Sequence, residues 1–86
     1  MIKYYNLKNE LLTVVPMLDS FIGYTINNLA NWTRYWYLGR THRLDGPAFI
    51  YFDGIEEYKQ WYVHGLSVTE QEHRLYVDLL KLKGLL

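Results

Sequence analysis

The middle of this chain is punctuated too often to be helical. Gly39, Asp45-Gly46, Asp53-Gly54 and His64-Gly65 are turn signals that leave only short runs between them. Such runs are too short for stable helices and suit strands. They are also rich in aromatic and β-branched residues, which fit a pleated, half-buried surface. "NWTRYWYLG" (31–39) is the clearest strand, with Trp32, Arg34, Trp36 and Leu38 on one face and Thr33, Tyr35 and Tyr37 on the other. "PAFIYF" (47–52) is the next, begun by Pro47, which has no N–H to give a ladder. "EEYKQWYVH" (56–64) is the returning strand. Three consecutive strands on short turns make a meander.

The period changes near residue 69. Thr69-Glu70-Gln71-Glu72 fits a capping box, in which Thr69 and Glu72 satisfy each other's backbone N–H groups. Leu75, Leu79 and Leu82 recur at i, i+4 and i+7, with Tyr76 and Leu80 widening the stripe. Glu70, Glu72 and Asp78 precede Lys81 and Lys83, the order a helix dipole favours, and Gly84 supplies a stop. The pattern predicts a helix over about 70–83 whose stripe is buried on the meander. Upstream, "IKYYN" (2–6) and "SFIGYTIN" (20–27) read as strands, with Asn27-Asn28 as a turn. The segment 6–20 allows a helical turn through Leu7, Leu11 and Leu12, or a strand through Thr13, Val14 and Val15; Pro16 stops either.

The expected fold class is α+β: a small antiparallel β-meander of about 4–6 strands packed by one C-terminal helix. Eighty-six residues, half of them hydrophobic, suit a single domain over 1–86. Within it, 1–30 is an N-terminal segment, 31–67 the meander and 69–84 the helical end.

Charge and cysteine narrow the function. The formal net charge is zero, with nine basic and nine acidic residues, so no basic footprint for nucleic acid exists. Cysteine is absent, which removes disulfides, thiolate nucleophiles and cysteine zinc sites. No apolar run approaches a membrane span, and "MIKYYNLKNELL" lacks a basic-then-apolar leader. The reading is a soluble cytoplasmic protein. His42, Asp45, His64 and His73 have no diagnostic metal-ligand spacing, so neither metal nor cofactor is expected.

"THRLDGPAFIYFDG" (41–54) holds the densest chemistry. A histidine beside a carboxylate and an arginine can act as base, orienter and anion clamp, which gives a small enzyme using His42, Arg43 and Asp45 as one reading. No serine or cysteine nucleophile accompanies them. The structural reading explains more residues. Asp45 caps following backbone N–H groups in an Asx-type turn, Gly46 takes positive φ, and Pro47 stiffens entry to the strand. Arg43 pairs with Asp45 or lies over a Tyr or Trp, and His42 donates to a backbone carbonyl. On this account His42, Arg43, Asp45, Gly46 and Pro47, with the later turn Asp53-Gly54, form a corner that sets register.

The chain partly echoes itself: "WYLGRTHR" (36–43) aligns with "WYVHGLSV" (61–68), with one extra residue before the second Gly. In "WYLGRTHRLDGPAFIYFDGIEEYKQWYVHGLSVTEQE" (36–72), the residues His42, Arg43, Asp45, Gly46, Pro47 and Ala48 match one for one a motif of a known group. The stretch resembles the His-Arg-x-Asp-Gly-Pro-Ala β-repeats of bacteriophage and giant-virus proteins, which are similar to MORN-type hairpin repeats. Leu38-Gly39 departs from the group's more usual Asn or Asp before that Gly, the second unit is truncated, and residues 1–30 lie outside the match. The resemblance implies hairpin-built sheet and a viral, phage-encoded setting in an infected bacterial cytoplasm. It implies no common activity.

Aromatic content of 17%, with nine Tyr and three Trp, exceeds what so small a core can hide. Trp32, Trp36 and Trp61 are expected beneath the helix. Tyr35, Tyr37, Phe49 and Tyr51 are expected together on the other sheet face, covered by the N-terminal segment or by another chain. Arg34, Tyr35, Tyr37, Arg43, Phe49, Tyr51 and Lys59 are therefore the candidate partner-binding residues of a non-catalytic protein. The partner is a host or viral protein; inhibition of a host enzyme or a defence system such as a CRISPR nuclease fits the implied setting. A homodimer or a homo-oligomeric component of a viral assembly is the structural alternative.

Overall fold

The computed structural model describes residues 1–86. Seven antiparallel strands form the sheet: β1 (Ile2–Tyr5), β2 (Ile22–Asn27), β3 (Trp32–Tyr37), β4 (Arg40–Thr41), β5 (Phe49–Phe52), β6 (Glu57–Val63) and β7 (Leu66–Val68). Their order is β1-β2-β3-β5-β6-β7. β4 shares one edge of β3 with β5: β5 pairs with Trp32–Arg34 and β4 with Trp36–Tyr37. One helix, α1 (Glu70–Leu82), closes the chain and meets the sheet at β6. It carries the expected capping box, with Thr69 Oγ1 accepting from Glu72 N–H and Glu72 Oε1 accepting from Thr69 N–H. It ends in a Schellman arrangement, Gly84 N–H donating to Lys81 O and Leu85 N–H to Leu80 O. No helix is long and apolar enough to cross a membrane.

Two strands went unread in the sequence. Leu38-Gly39 and His64-Gly65 do not merely end strands; each turns its strand back on itself, into β4 and β7. Positive φ at both residues of each pair (49° and 80°, 48° and 85°) marks a type I′ hairpin turn. The internal echo is therefore two hairpins. Anchored on the turns, Tyr35 corresponds to Trp61, one residue off the Trp-Tyr alignment, because the second copy's extra residue falls inside the strand. The segment 6–20 is neither strand nor helix. Leu11 bridges to Tyr5, and a single 3-10 turn spans Leu18–Ser20.

The register corrects the faces. Phe49 lies opposite Arg34 and Tyr51 opposite Trp32, so both share the Trp32, Arg34, Trp36 face and not that of Tyr35 and Tyr37. Tyr58, opposite Tyr51, joins them. Trp61 is on the other face with Tyr24 and Tyr35, and it is there that α1 lies, since His73 and Val77 border Trp61. Trp32 and Trp36 are thus not beneath the helix, as Trp61 is. The helix corrects a second expectation. His73, Tyr76, Val77 and Leu80 face inward, while Leu75, Leu79 and Leu82 are exposed.

The molecule is thin, measuring 39 × 32 × 20 Å. Its radius of gyration, 13.6 Å, exceeds the roughly 12 Å expected of a compact chain this long. Only six residues are buried: Phe21, Gly23, Thr25, Ala48, Val63 and His73. Ring contacts replace a deep core. Tyr5 stacks on Tyr24 at 5.0 Å, and Tyr24 meets the tilted Tyr35 ring at 5.5 Å, a series across β1, β2 and β3. Trp36 Nε1 donates to buried Thr25 Oγ1 at 3.0 Å, satisfying both polar groups.

Candidate functional site

Two places carry chemistry: the corner at 41–48 with the cleft beside it, and the open face of the sheet.

The corner is organised by Arg43. Its Nε donates to Asp45 Oδ1 at 2.8 Å, its Nη1 donates to Pro47 O at 3.2 Å, and its guanidinium carbon stands 3.9 Å from the centre of the Tyr35 ring. The two sequence-level alternatives for Arg43 are both true. Asp45 is correspondingly not a backbone cap; its carboxyl is held below the usual carboxylate range chiefly by the Arg43 hydrogen bond. Gly46 does not take positive φ. Its role is room, since a Cβ there would press on the Arg43 guanidinium at 3.1 Å. Asp53 is the residue that caps backbone, with Oδ1 accepting from Ile55 and Glu56 N–H at 2.8 Å, while Gly54 takes φ of 99°.

His42 accepts where it was expected to donate. Its Nδ1 receives the His64 N–H at 2.9 Å, and Thr41 O receives the Gly65 N–H at 2.8 Å. The corner therefore holds the tip of the β6–β7 hairpin. Acceptance at Nδ1 places the ring proton on Nε2. The rings of His42 and His64 stack at 4.1 Å, and burial, then His64 and His73, push the His42 pKa below its ordinary value. The histidine that donates to a backbone carbonyl is His73, whose buried Nε2–H meets Arg43 O at 2.6 Å and ties α1 to the corner.

Between corner, sheet and helix lies a cleft of about 660 Å³. Tyr24, Tyr35, Tyr37, His42, Arg43, Asp45, His64 and Tyr76 border it, so a concave site does join the three residues of the enzyme reading. Arg43 spends Nε and Nη1 within the corner, whereas His42 Nε2 and one Asp45 oxygen are free of protein partners. No cluster of three or more His, Cys, Asp or Glu side chains is gathered as metal ligands.

The open face is different in kind. Arg34 stands among Trp32, Trp36 and Phe49, its guanidinium carbon 5.5, 5.6 and 5.0 Å from their ring centres. It makes no ion pair, and its Nε is buried without a hydrogen-bond partner. Beside it Tyr51 and Tyr58 stack at 6.0 Å and are 37% and 47% exposed. Asp53 Oδ2 accepts from Tyr58 Oη at 3.1 Å, fixing that ring. Of the candidate binding residues, then, Arg34, Phe49 and Tyr51 come together here. Tyr35, Tyr37 and Arg43 belong to the cleft, and Lys59 stands on the helix side of β6, paired with Glu57 at 3.7 Å. Sequence reasoning grouped Trp32 and Trp36 with Arg34 but set them beneath the helix, and it missed Tyr58, because only the β3–β5–β6 register brings Phe49, Tyr51 and Tyr58 to that face.

No family model matches the chain, and no curated protein or solved structure proved similar to it.

Proposed function

We propose that this is a non-catalytic binding protein whose open sheet face, Trp32, Arg34, Trp36, Phe49, Tyr51 and Tyr58, docks on a partner protein. The observation that carries the reading is Arg34: a cation set among three rings on the face without a helix, without an acidic partner of its own. A partner carboxylate would complete it, and the rings would exclude water around the contact. The resemblance to viral His-Arg-x-Asp-Gly-Pro-Ala repeats supports a setting in an infected bacterial cytoplasm. A host enzyme or defence factor, such as a CRISPR nuclease, would then be held sterically. Zero net charge speaks against nucleic acid as the direct target.

The test has two stages. Tagged protein is used to capture partners from a bacterial lysate, and the affinity of the recovered partner is then measured with Arg34→Ala, Tyr51→Ala and Tyr58→Ala. Each variant should retain its fold by circular dichroism. Arg34→Ala should weaken binding by about tenfold or more, as central interface anchors do. Undiminished binding in all three variants sinks the reading.

The cleft favours one rival, a small enzyme using His42, Arg43 and Asp45. Its working atoms would be His42 Nε2 and the free Asp45 oxygen, with Arg43 as orienter. That rival requires a small molecule that raises the melting temperature of the wild-type protein and fails to do so for His42→Gln.

A further inference from the structure

Helix α1 has two apolar sides, and the fold uses one. His73, Tyr76, Val77 and Leu80 turn to the sheet, while Leu75, Leu79 and Leu82 are 63%, 48% and 86% exposed. At about 100° per residue the leucines centre roughly 140° around the helix from the sheet-facing residues. Their i, i+4, i+7 spacing is that of a coiled-coil seam. A helix apolar on opposite sides belongs between two layers, and a single chain supplies one.

We propose that a second copy of the chain supplies the other layer, through an antiparallel two-fold pair of α1 helices. The stripe is its own complement. Turned end for end about Leu79, it sets Leu75 against Leu82 of the partner subunit and Leu79 against its own counterpart, the isologous pattern a two-fold demands. Charge follows the same symmetry. Glu72 and Lys83 border one flank of the stripe near opposite ends, so reversal brings each Glu72 beside Lys83 of the partner subunit. Lys83 makes no ion pair within its chain, and Glu72 keeps Oε2 free while Oε1 serves the cap. Asp78, on the other flank near the two-fold, opposes its counterpart, with Arg74, itself 3.9 Å from Glu70, one turn away. A parallel pair would instead place Leu75 on Leu75 and leave Glu72 far from Lys83.

The chain exposes 6267 Å², about 900 Å² more than a compact monomer of its mass, so the slab leaves surface for a further layer. Zero net charge imposes no overall repulsion between copies. The pairing is back to back: the helices meet at the centre and both open faces point outward. It is independent of what those faces bind.

The test is the mass of the intact protein by sedimentation equilibrium, from low micromolar to about 1 mM. The mass should rise from 10.4 kDa toward twice that value. Leu79→Glu should hold it at the monomer with an unchanged circular dichroism spectrum, while Arg34→Ala and Tyr58→Ala should still dimerise. Orientation is read by cross-linking, which the absence of native cysteine makes clean. After mild oxidation, Leu75→Cys chains should couple to Leu82→Cys chains when mixed, and not to themselves. If Leu79→Glu unfolds, the cysteine pair alone decides. A monomer at every concentration, a dimer that survives Leu79→Glu, or self-coupling of Leu75→Cys overturns the proposal.

Discussion

Arg43→Ala should be among the most damaging single substitutions at the corner, and its cost can be built from three contacts. The ion pair with Asp45 contributes about 0–1 kcal/mol, because the Asp45 side chain is 84% exposed. The partly buried hydrogen bond to Pro47 O contributes about 1.5–3 kcal/mol, as a charged donor does. Stacking over Tyr35 at 3.9 Å adds about 0.5–1 kcal/mol. The sum is about 2–5 kcal/mol, equivalent to roughly 8–40 °C in melting temperature for a domain this small. Asp45→Ala removes only the first contact and should cost less than about 1 kcal/mol. Arg43→Lys should fall between, since an ammonium keeps the charge but lacks the flat, fixed guanidinium fork. Urea denaturation followed by circular dichroism gives the three values, compared at unchanged m. Adding Asp45→Ala to Arg43→Ala should then cost almost nothing more. If Asp45→Ala proves as costly as Arg43→Ala, the corner is not organised around the guanidinium.

Two glycines with positive φ should respond differently to alanine. Gly39→Ala would drive a Cβ to 2.6 Å from Leu18 O and cost several kcal/mol, whereas Gly54→Ala meets open space and should cost only the backbone strain, about 1–2 kcal/mol; thermal melts compare them. The His42 pKa is lowered below 6.5, so between the folded and unfolded values only the unfolded chain holds the proton. Stability should be full above about pH 6.5 and decline as pH falls toward the folded value, less steeply in His42→Gln; a series of melts from pH 8 to about 5 reads the slope. Thr69→Ala removes the side-chain half of the capping box and should cost about 1 kcal/mol by urea titration.

What the sequence disclosed was local. The α1 boundaries were legible because Thr69, Glu72 and Gly84 act through bonds within a few residues of themselves. The strands β2, β3, β5 and β6 were legible because alternation and turn residues are also near-neighbour signals. Relations between elements were not. Alternation groups Trp32 with Arg34 and Trp36 within β3, but whether Phe49 joins them depends on the path from Arg40 to Ala48, which sets the register. The α1 stripe shows the same limit. Two apolar sides were present, and the Arg43 carbonyl holding His73 selected Tyr76, Val77 and Leu80 as the inner one. At the corner the residue types were read correctly and the donors reversed. His42 receives, because the His64-Gly65 hairpin tip delivers an N–H from 22 positions away. Nothing near His42 in sequence announces that contact.

Having just six sealed residues has a calorimetric consequence. The heat-capacity rise on unfolding tracks newly wetted apolar area, and this slab already wets much of its own. Its increment should therefore fall below the usual ~12–15 cal/mol/K per residue. A small increment flattens the curve of free energy against temperature, so cooling should weaken this protein less than it weakens a deeply cored domain of equal length.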